Sequence, residues 1–164
     1  MLKLNEQVYD AIRHHGEETY PHECCGVLLG RSKDDVNDVA DAIRAGNTRT
    51  DSAHNRYHIA PQELVKIQRQ ARERGLDIVG FYHSHPDHPA QWSKTDFEEA
   101  HWLGCSYVIT AVAQGAAQQT NSFLLTGSSE EDKAFVCEAV VVSNDGASNH
   151  AAETAAKEPA TERC

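Results

Sequence analysis

Two histidines separated by one residue carry the clearest chemical signal in the sequence. His83 and His85 come at the end of an apolar segment, residues 77–83, that we predict to be a strand. Because side chains alternate between the two faces of a strand, both imidazoles should project from the same face and converge on one ion. An HxH pair alone is more often two solvent-facing or hydrogen-bonded histidines, so the interpretation depends on further ligands.

A carboxylate follows at a suitable place. Asp96 falls in the first turn of a helix that we predict to begin at Ser93 and to run to about Leu103. A strand end and the next helix start can face each other across a short loop, so Asp96 can join the imidazoles. Two histidines and one carboxylate, with a fourth position for water, are typical of a catalytic zinc site. Ser93-x-x-Asp96 also fits a helix capping box, which needs no metal, and the two interpretations are compatible.

Hydrolysis at such a site also needs a base and a donor for the developing oxyanion. Glu23 precedes a short apolar strand and could reach the site from there, although a single glutamate is by default a surface residue. The hydroxyl of Ser93 is a candidate oxyanion donor. A thiolate nucleophile at Cys24 would need a histidine partner, and nothing favours it over zinc.

The elements that must position these residues alternate between helices and strands. Leu4, Val8 and Ile12 recur on one face and predict a first helix that ends at Pro21. Pro61 predicts the start of a second helix and Gly75 its end. Together with the predicted strands, this pattern favours an α/β domain with a mixed sheet between helical layers. The predicted strands cover residues 26–30, 36–43, 77–83, 107–112, 122–126 and 134–142, with loops at 46–55 and 86–92 and a brief extended piece at 56–59.

Composition limits the function classes. The chain has 164 residues and a formal net charge of −10, and it lacks the Lys/Arg cluster that nucleic-acid binding demands. No apolar run reaches transmembrane length and no signal-peptide pattern opens the chain, so we expect a cytoplasmic protein without a membrane partner. In that compartment we expect the five cysteines to be free thiols. We predict one domain over residues 1–142 and a disordered tail over 143–164.

The joint pattern resembles a known family. His83-x-His85, seven further residues, Ser93, two residues and Asp96 look like the JAMM motif of the Mov34/MPN/PAD-1 metallopeptidases. The segment Glu23-Cys-Cys-Gly, followed by Val-Leu-Leu-Gly, is similar to the upstream glutamate segment of the family's small prokaryotic members.

The resemblance implies a JAB1/MPN fold, a three-layer α/β/α sandwich with a mixed sheet that is akin to cytidine deaminases. It implies that His83, His85 and Asp96 bind one zinc ion per chain, that Glu23 is the general acid/base, and that Ser93 stabilises the tetrahedral intermediate. The substrate would be a ubiquitin-like or sulfur-carrier protein, cut after its C-terminal Gly-Gly. The segments between the motifs are too short for the insertions of eukaryotic ubiquitin-chain cleavers.

Three other functions are compatible with parts of the pattern. A non-catalytic MPN module would bind a ubiquitin-like tail without cutting it, but such a module has no need of Glu23. A DNA-linked JAB domain of the RadC kind would need a basic face, and a zinc deaminase would need a Pro-Cys-x-x-Cys segment; the sequence has neither. Oligomeric state stays open, and so does the choice between platform and packing roles for Trp92.

Overall fold

The computed structural model describes residues 1–46 and 59–144. In these residues a mixed eight-stranded sheet carries three helices, and the strand order is β7-β6-β5-β4-β2-β3-β1-β8. Parallel and antiparallel neighbours both occur: β4 runs parallel to β5 and antiparallel to β2. The elements in chain order are β1 (Leu2–Asn5), α1 (Glu6–Thr19), β2 (Cys25–Lys33), β3 (Val36–Ala45), α2 (Pro61–Glu73), β4 (Asp77–Pro86), α3 (Lys94–Glu99), β5 (Ser106–Ala113), β6 (Ala116–Thr126), β7 (Ala134–Glu138) and β8 (Val140–Ser143).

Helices cover both faces of the sheet. Leu28 of β2 and Tyr82 of β4 pack with α1 in one buried cluster. Their neighbours Val27, Leu29 and Phe81 face the opposite side and pack with α2 and α3 in a second cluster. This alternation follows from the period of two in a strand. The predicted three-layer α/β/α arrangement with a mixed sheet is confirmed.

The sheet is strongly rolled. β7 and β8 stand at opposite ends of the strand order, yet only Ala139 separates them in the chain. With about 3.8 Å between successive Cα atoms, the two edges come within about 8 Å of each other there. Asn37 of β3 accordingly donates a 2.8 Å hydrogen bond to Oγ of Ser106 on β5, although two strands lie between them in the sheet. The layer between the helices is therefore a partly closed barrel.

The start of the chain differs from the prediction. Leu4 belongs to β1, and the first helix begins only at Glu6, where Asn5 caps it by accepting a hydrogen bond from the Val8 amide. Leu4 and Val8 still face the same buried cluster, because a strand leading directly into a helix can continue an apolar face. Spacing alone therefore placed Leu4 in the wrong element.

Two other predicted elements need correction. The helix after Ser93 ends at Glu99 rather than near Leu103, because Ala100 is extended and buried, and the Trp102 amide donates to the Tyr107 hydroxyl. The predicted last strand, residues 134–142, is two strands on opposite edges of the sheet. Tertiary contacts override the local pattern in both places.

Several predictions concern residues outside the described ranges. These are most of the loop at 46–55, most of the extended piece at 56–59, and the tail from residue 145 onward. Ser143, the first residue of the predicted tail, is instead the last residue of β8. Cys24, Cys25 and Cys105 have free thiols, but Cys137 is disulfide-bonded, so the expectation of five free thiols is wrong at that residue. In the described ranges, no helix has the length and apolar character needed to span a membrane.

Candidate metal-binding site

Strand β4 brings the two histidines together. His83 pairs with Cys25 of β2 on one side and with Ile109 of β5 on the other, so the strand is held rigidly at this point. Both histidines are buried, and their Nε2 atoms lie 3.0 Å apart. The predicted projection of both imidazoles from one face is confirmed.

The start of α3 supplies the carboxylate. Oδ1 of Asp96 lies 3.4 Å from Nε2 of His83, and Oδ2 lies 3.5 Å from Nε2 of His85. One ligand atom from each of the three residues can be chosen so that all lie within 4.8 Å of one another. The structure thus brings together the three side chains that the sequence suggested as metal ligands.

A capping box fixes the orientation of that carboxylate. The Ser93 amide donates to Oδ2 of Asp96 at 2.6 Å, and the Asp96 amide donates to Oγ of Ser93 at 3.1 Å. The helix capping box that the sequence allowed at Ser93-x-x-Asp96 is therefore present, and the cap and the ligand cluster share Asp96.

The electrostatics of the cluster favour charged aspartate. Burial by itself would raise the pKa of Asp96, but hydrogen bonds with His83 and His85 outweigh it and hold that pKa well below its usual range. Burial lowers the pKa of His83, which keeps its imidazole neutral. An ionised carboxylate and a neutral imidazole are the protonation states in which these groups bind a cation.

A backbone carbonyl orients His85. Nδ1 of His85 lies 3.0 Å from the carbonyl oxygen of Pro89, which also accepts a 2.8 Å hydrogen bond from the Gln91 amide. A carbonyl can only accept, so Nδ1 carries the proton. Nε2 of His85 faces His83 and Asp96, so it is the nitrogen that could bind a cation once its own proton is lost.

Glu23 shares a cavity with His85. It comes just before β2, its side chain is buried, and it lines a cavity of about 390 Å³ together with His85 and Ser93. Burial raises the pKa of Glu23 to about 8, and the nearby His85 acts in the opposite direction. A carboxyl group with such a pKa can both accept and donate a proton near neutral pH.

Trp92 forms part of the cavity wall. Its ring lies 5.6 Å from that of Phe97 and 5.7 Å from that of Phe135, while 41% of the residue remains exposed. Trp92 therefore packs on one side and presents a surface to the cavity on the other, so both roles considered from the sequence are present. His88 lines the cavity as well, whereas His101 is exposed and pairs with Glu130.

Sequence reasoning missed two residues that hold the loop between His85 and Ser93. Asp87 has a φ of 55° and accepts hydrogen bonds from the Tyr20 hydroxyl at 2.8 Å and the Gln114 amide at 3.0 Å. Asn121, on β6, donates to the carbonyl of Ala90 at 2.8 Å. A positive φ is tolerated best by Gly, Asn and Asp, so the Asp87 turn had a weak local signal. The Asn121 contact had none.

Comparison with known proteins gives a family match over residues 5–126, to a model described as prokaryotic homologs of the JAB domain. Among curated proteins, a desampylase of Haloferax volcanii is 38% identical over 112 residues, covering 66% of this chain and 78% of its own. A probable TtuB-protein conjugate cleaving protease of Thermus thermophilus is 30% identical over 109 residues, covering 66% and 69%. A CysO-cysteine peptidase of Mycobacterium tuberculosis is 24% identical over 139 residues, covering 84% and 92%.

Solved structures agree with the fold. A protein from Salinibacter ruber aligns with a TM-score of 0.66 at 39% identity, covering 91% of this chain and 96% of its own. Protein DSY2949 from Desulfitobacterium hafniense aligns with a TM-score of 0.74 at 24% identity, covering 88% and 94%. The second likeness supports the architecture alone.

Proposed function

The chain belongs to the family of prokaryotic homologs of the JAB domain, and from this we propose that it is a zinc-dependent peptidase. Its substrate would be a ubiquitin-like or sulfur-carrier protein, cut at the amide bond after a C-terminal Gly-Gly. The observation that carries the proposal is the convergence of His83, His85 and Asp96 beside the buried Glu23. The relatives named as a conjugate cleaving protease and a CysO-cysteine peptidase support the choice of substrate class.

The ligand atoms fit zinc in type and in spacing. In a tetrahedral zinc site with bonds of about 2.0–2.1 Å, neighbouring ligand atoms lie about 3.3 Å apart. The Nε2 atoms of His83 and His85 are 3.0 Å apart, and the Asp96 oxygens lie 3.4 and 3.5 Å from them. Bound there, zinc would act as a Lewis acid and lower the pKa of a water molecule to about 7.

Glu23 would take the proton from the attacking water and pass it to the leaving amine. Its carboxyl group lies in the cavity with His85, where burial disfavours the charged form and a nearby positive charge favours it. Burial raises the pKa of Glu23 to about 8, and a cation bound at the ligand cluster would lower it toward neutrality, the range that general acid/base catalysis at neutral pH requires.

Ser93 would stabilise the oxyanion. Its Oγ accepts the Asp96 amide hydrogen, and that bond leaves the single hydroxyl proton of Ser93 available to donate. Ser93 lines the cavity and the helix cap holds its Oγ, so little reorganisation would be needed when charge develops on the substrate oxygen.

The cavity suits a narrow chain end. Trp92 and Pro89 line it beside Glu23, and it opens to solvent. A Gly-Gly tail has no side chains, so it can lie extended in such a site and bring its last carbonyl to the ligand cluster.

The test measures zinc and cleavage on the same preparation. Zinc content per chain is determined for the wild type and for His83→Ala, and both are then incubated with a ubiquitin-like protein that carries a short peptide after its Gly-Gly. We expect one zinc per wild-type chain, loss of zinc in the variant, and product masses that place the cut after the second glycine. The control substrate carries Val in place of that glycine.

Three results would contradict or narrow the proposal. Wild-type protein without zinc would contradict the proposal. Stoichiometric zinc with no cleavage of any Gly-Gly substrate, but with binding of the tail, would favour a non-catalytic tail-binding module. Equal cleavage of the Val control would remove the Gly-Gly specificity and leave a less selective peptidase.

A further inference from the structure

A buried amide lies under the loop that orients His85. Asn121 is 4% exposed and sits in β6 opposite Ile109, which in turn pairs with His83. The three residues therefore form one row across three strands. Residues in such a row project from the same face of the sheet, so Asn121 shares the face of the ligand cluster.

An apolar cluster lies on the same part of the sheet as this amide. Ala90, Ile109, Ala111 and Phe123 form a buried cluster at this place on the sheet. Burying an amide among apolar groups costs free energy unless its polar atoms are hydrogen-bonded. Asn121 meets this need with two bonds: Nδ2 donates to the Ala90 carbonyl at 2.8 Å, and Oδ1 accepts from the Gln119 side chain at 3.1 Å.

The Ala90 carbonyl is directly next to the carbonyl that orients His85. Pro89 supplies the oxygen that accepts the Nδ1 hydrogen of His85 at 3.0 Å. Asp87 fixes the other end of the same loop: its amide donates to the Val112 carbonyl at 2.8 Å, and its carboxylate accepts from Tyr20. The loop is thus fixed on both sides of Pro89: by the bonds of Asp87 before it, and by the bond from Asn121 to Ala90 after it.

We propose that Asn121 is a positioning residue for the metal centre, acting through the Pro89–Ala90 backbone on His85. By holding Ala90 it keeps the Pro89 carbonyl in place, and that carbonyl keeps Nδ1 of His85 protonated and Nε2 directed at the metal position. Partners of this kind typically change metal affinity by about 10- to 100-fold when removed. The inference rests on the proposed zinc site and assigns Asn121 no contact with substrate.

The test compares Asn121→Leu, which keeps the volume and removes both hydrogen bonds, with Thr120→Val on the same strand. Thr120 is also buried and polar, but it bonds to Thr110 and Arg13 and, as the strand neighbour of Asn121, projects from the opposite face of the sheet. The zinc dissociation constant is measured by competition with a chelator, and the unfolding temperature is measured on metal-free protein. We expect Asn121→Leu to weaken zinc binding by about 10- to 100-fold. Thr120→Val should lower the metal-free unfolding temperature and leave zinc affinity within about twofold of the wild type.

Two results would overturn the inference: unchanged zinc affinity in folded Asn121→Leu, or an equal loss of affinity in Thr120→Val. If Asn121→Leu does not fold, Asn121→Ser replaces it, because its hydroxyl is too short to reach Ala90 and its polarity is tolerated; the same loss is expected. Wild-type protein that binds no zinc would instead refute the proposed function, so the two failures are distinguishable.

Discussion

The backbone amide of Ser93 donates a 2.6 Å hydrogen bond to Oδ2 of Asp96, and this same oxygen lies 3.5 Å from Nε2 of His85. One carboxylate therefore serves both the N-terminus of α3 and the ligand cluster. The helix cap presets the direction of Asp96 before any cation arrives, which reduces the conformational entropy lost on binding.

The double role of Asp96 can be separated by substitution. Asp96→Asn keeps an oxygen that can accept the Ser93 amide hydrogen but removes the negative charge. We expect zinc affinity to fall by more than about 100-fold, which exceeds the effect of losing a supporting partner. Asp96→Ala should lose the same affinity and a further ~1 kcal/mol of stability from the cap. Full zinc occupancy in Asp96→Asn would remove Asp96 from the ligand set.

Glu23→Gln should retain zinc and lose turnover. The amide fills the same buried position but cannot take a proton from water, so kcat should fall by about 10²-fold or more. Glu98→Gln is the matched control, because Glu98 lies on α3 with its side chain 59% exposed. Turnover of Glu23→Gln within a few-fold of the control would end its assignment as the base.

Ser93→Gly tests the hydroxyl apart from the cap. Glycine is nearly as good as serine at the N-cap, so stability should fall by only a few tenths of a kcal/mol. Loss of an oxyanion donor should lower kcat by about 10²- to 10³-fold, and Ser93→Thr, which keeps the hydroxyl, should recover most of it. The readouts are kcat and the urea unfolding midpoint. If kcat in both variants changes only in proportion to their unfolding midpoints, Ser93 acts in the helix cap and not as an oxyanion donor.

Gly26→Ala should destabilise the strand next to Glu23. A Cβ at this position would come within 2.5 Å of the Ile43 carbonyl oxygen and closer still to the ring of Tyr82. The backbone oxygen cannot move away, so we expect a loss of about 1–3 kcal/mol in urea unfolding. Gly46→Ala is the control, since within residues 1–46 and 59–144 the nearest atom to its Cβ would be a Glu63 oxygen at 3.7 Å. Equal stability of the two variants would contradict the packing argument.

His15 should make the protein less stable in mild acid. It is buried against the Tyr82 hydroxyl, 2.9 Å from Nδ1, and burial, followed by the charge of Arg44, lowers its pKa to about 4 despite the opposing Glu18. In the unfolded chain the pKa is about 6.5, so the unfolded state binds the proton first as pH falls. The contribution of neutral His15 is present above pH 6.5 and is lost as the pH falls from there toward 4.

The measurement is urea unfolding at pH 7.5 and pH 5.0. The decrease in unfolding free energy between them should be about 1–2 kcal/mol larger in the wild type than in His15→Asn. His14→Asn is the control, because that side chain is 62% exposed. Identical pH dependence in the wild type and His15→Asn would show that His15 is not the group responsible.

The ligand cluster was predictable because its signal is local. His83 and His85 share a strand, and Asp96 begins the next helix, so spacing alone constrains where their side chains point. The apolar periods likewise gave α2 and most of the strands. The split between β7 and β8 was not predictable, since only long-range pairing to β6 and β1 distinguishes them.

The residues that hold the 87–92 loop escaped prediction for the same reason. Asn121 lies 31 positions from Ala90 in sequence, and Asp87 lies 67 positions from Tyr20. Such pairs meet only after the sheet forms, and no property of either residue alone indicates its partner.

The single residue between β7 and β8 has a consequence for how the molecule opens. In most sheets an outer strand can fray while the remainder stays folded. Here, detaching β7 from β6 pulls on Ala139 and through it on β8 and its pairing with β1. The two edges should therefore exchange their amide hydrogens together, as one cooperative unit. Loss of amide protection in β6, which pairs with β7, should accompany loss of amide protection in β1, which pairs with β8.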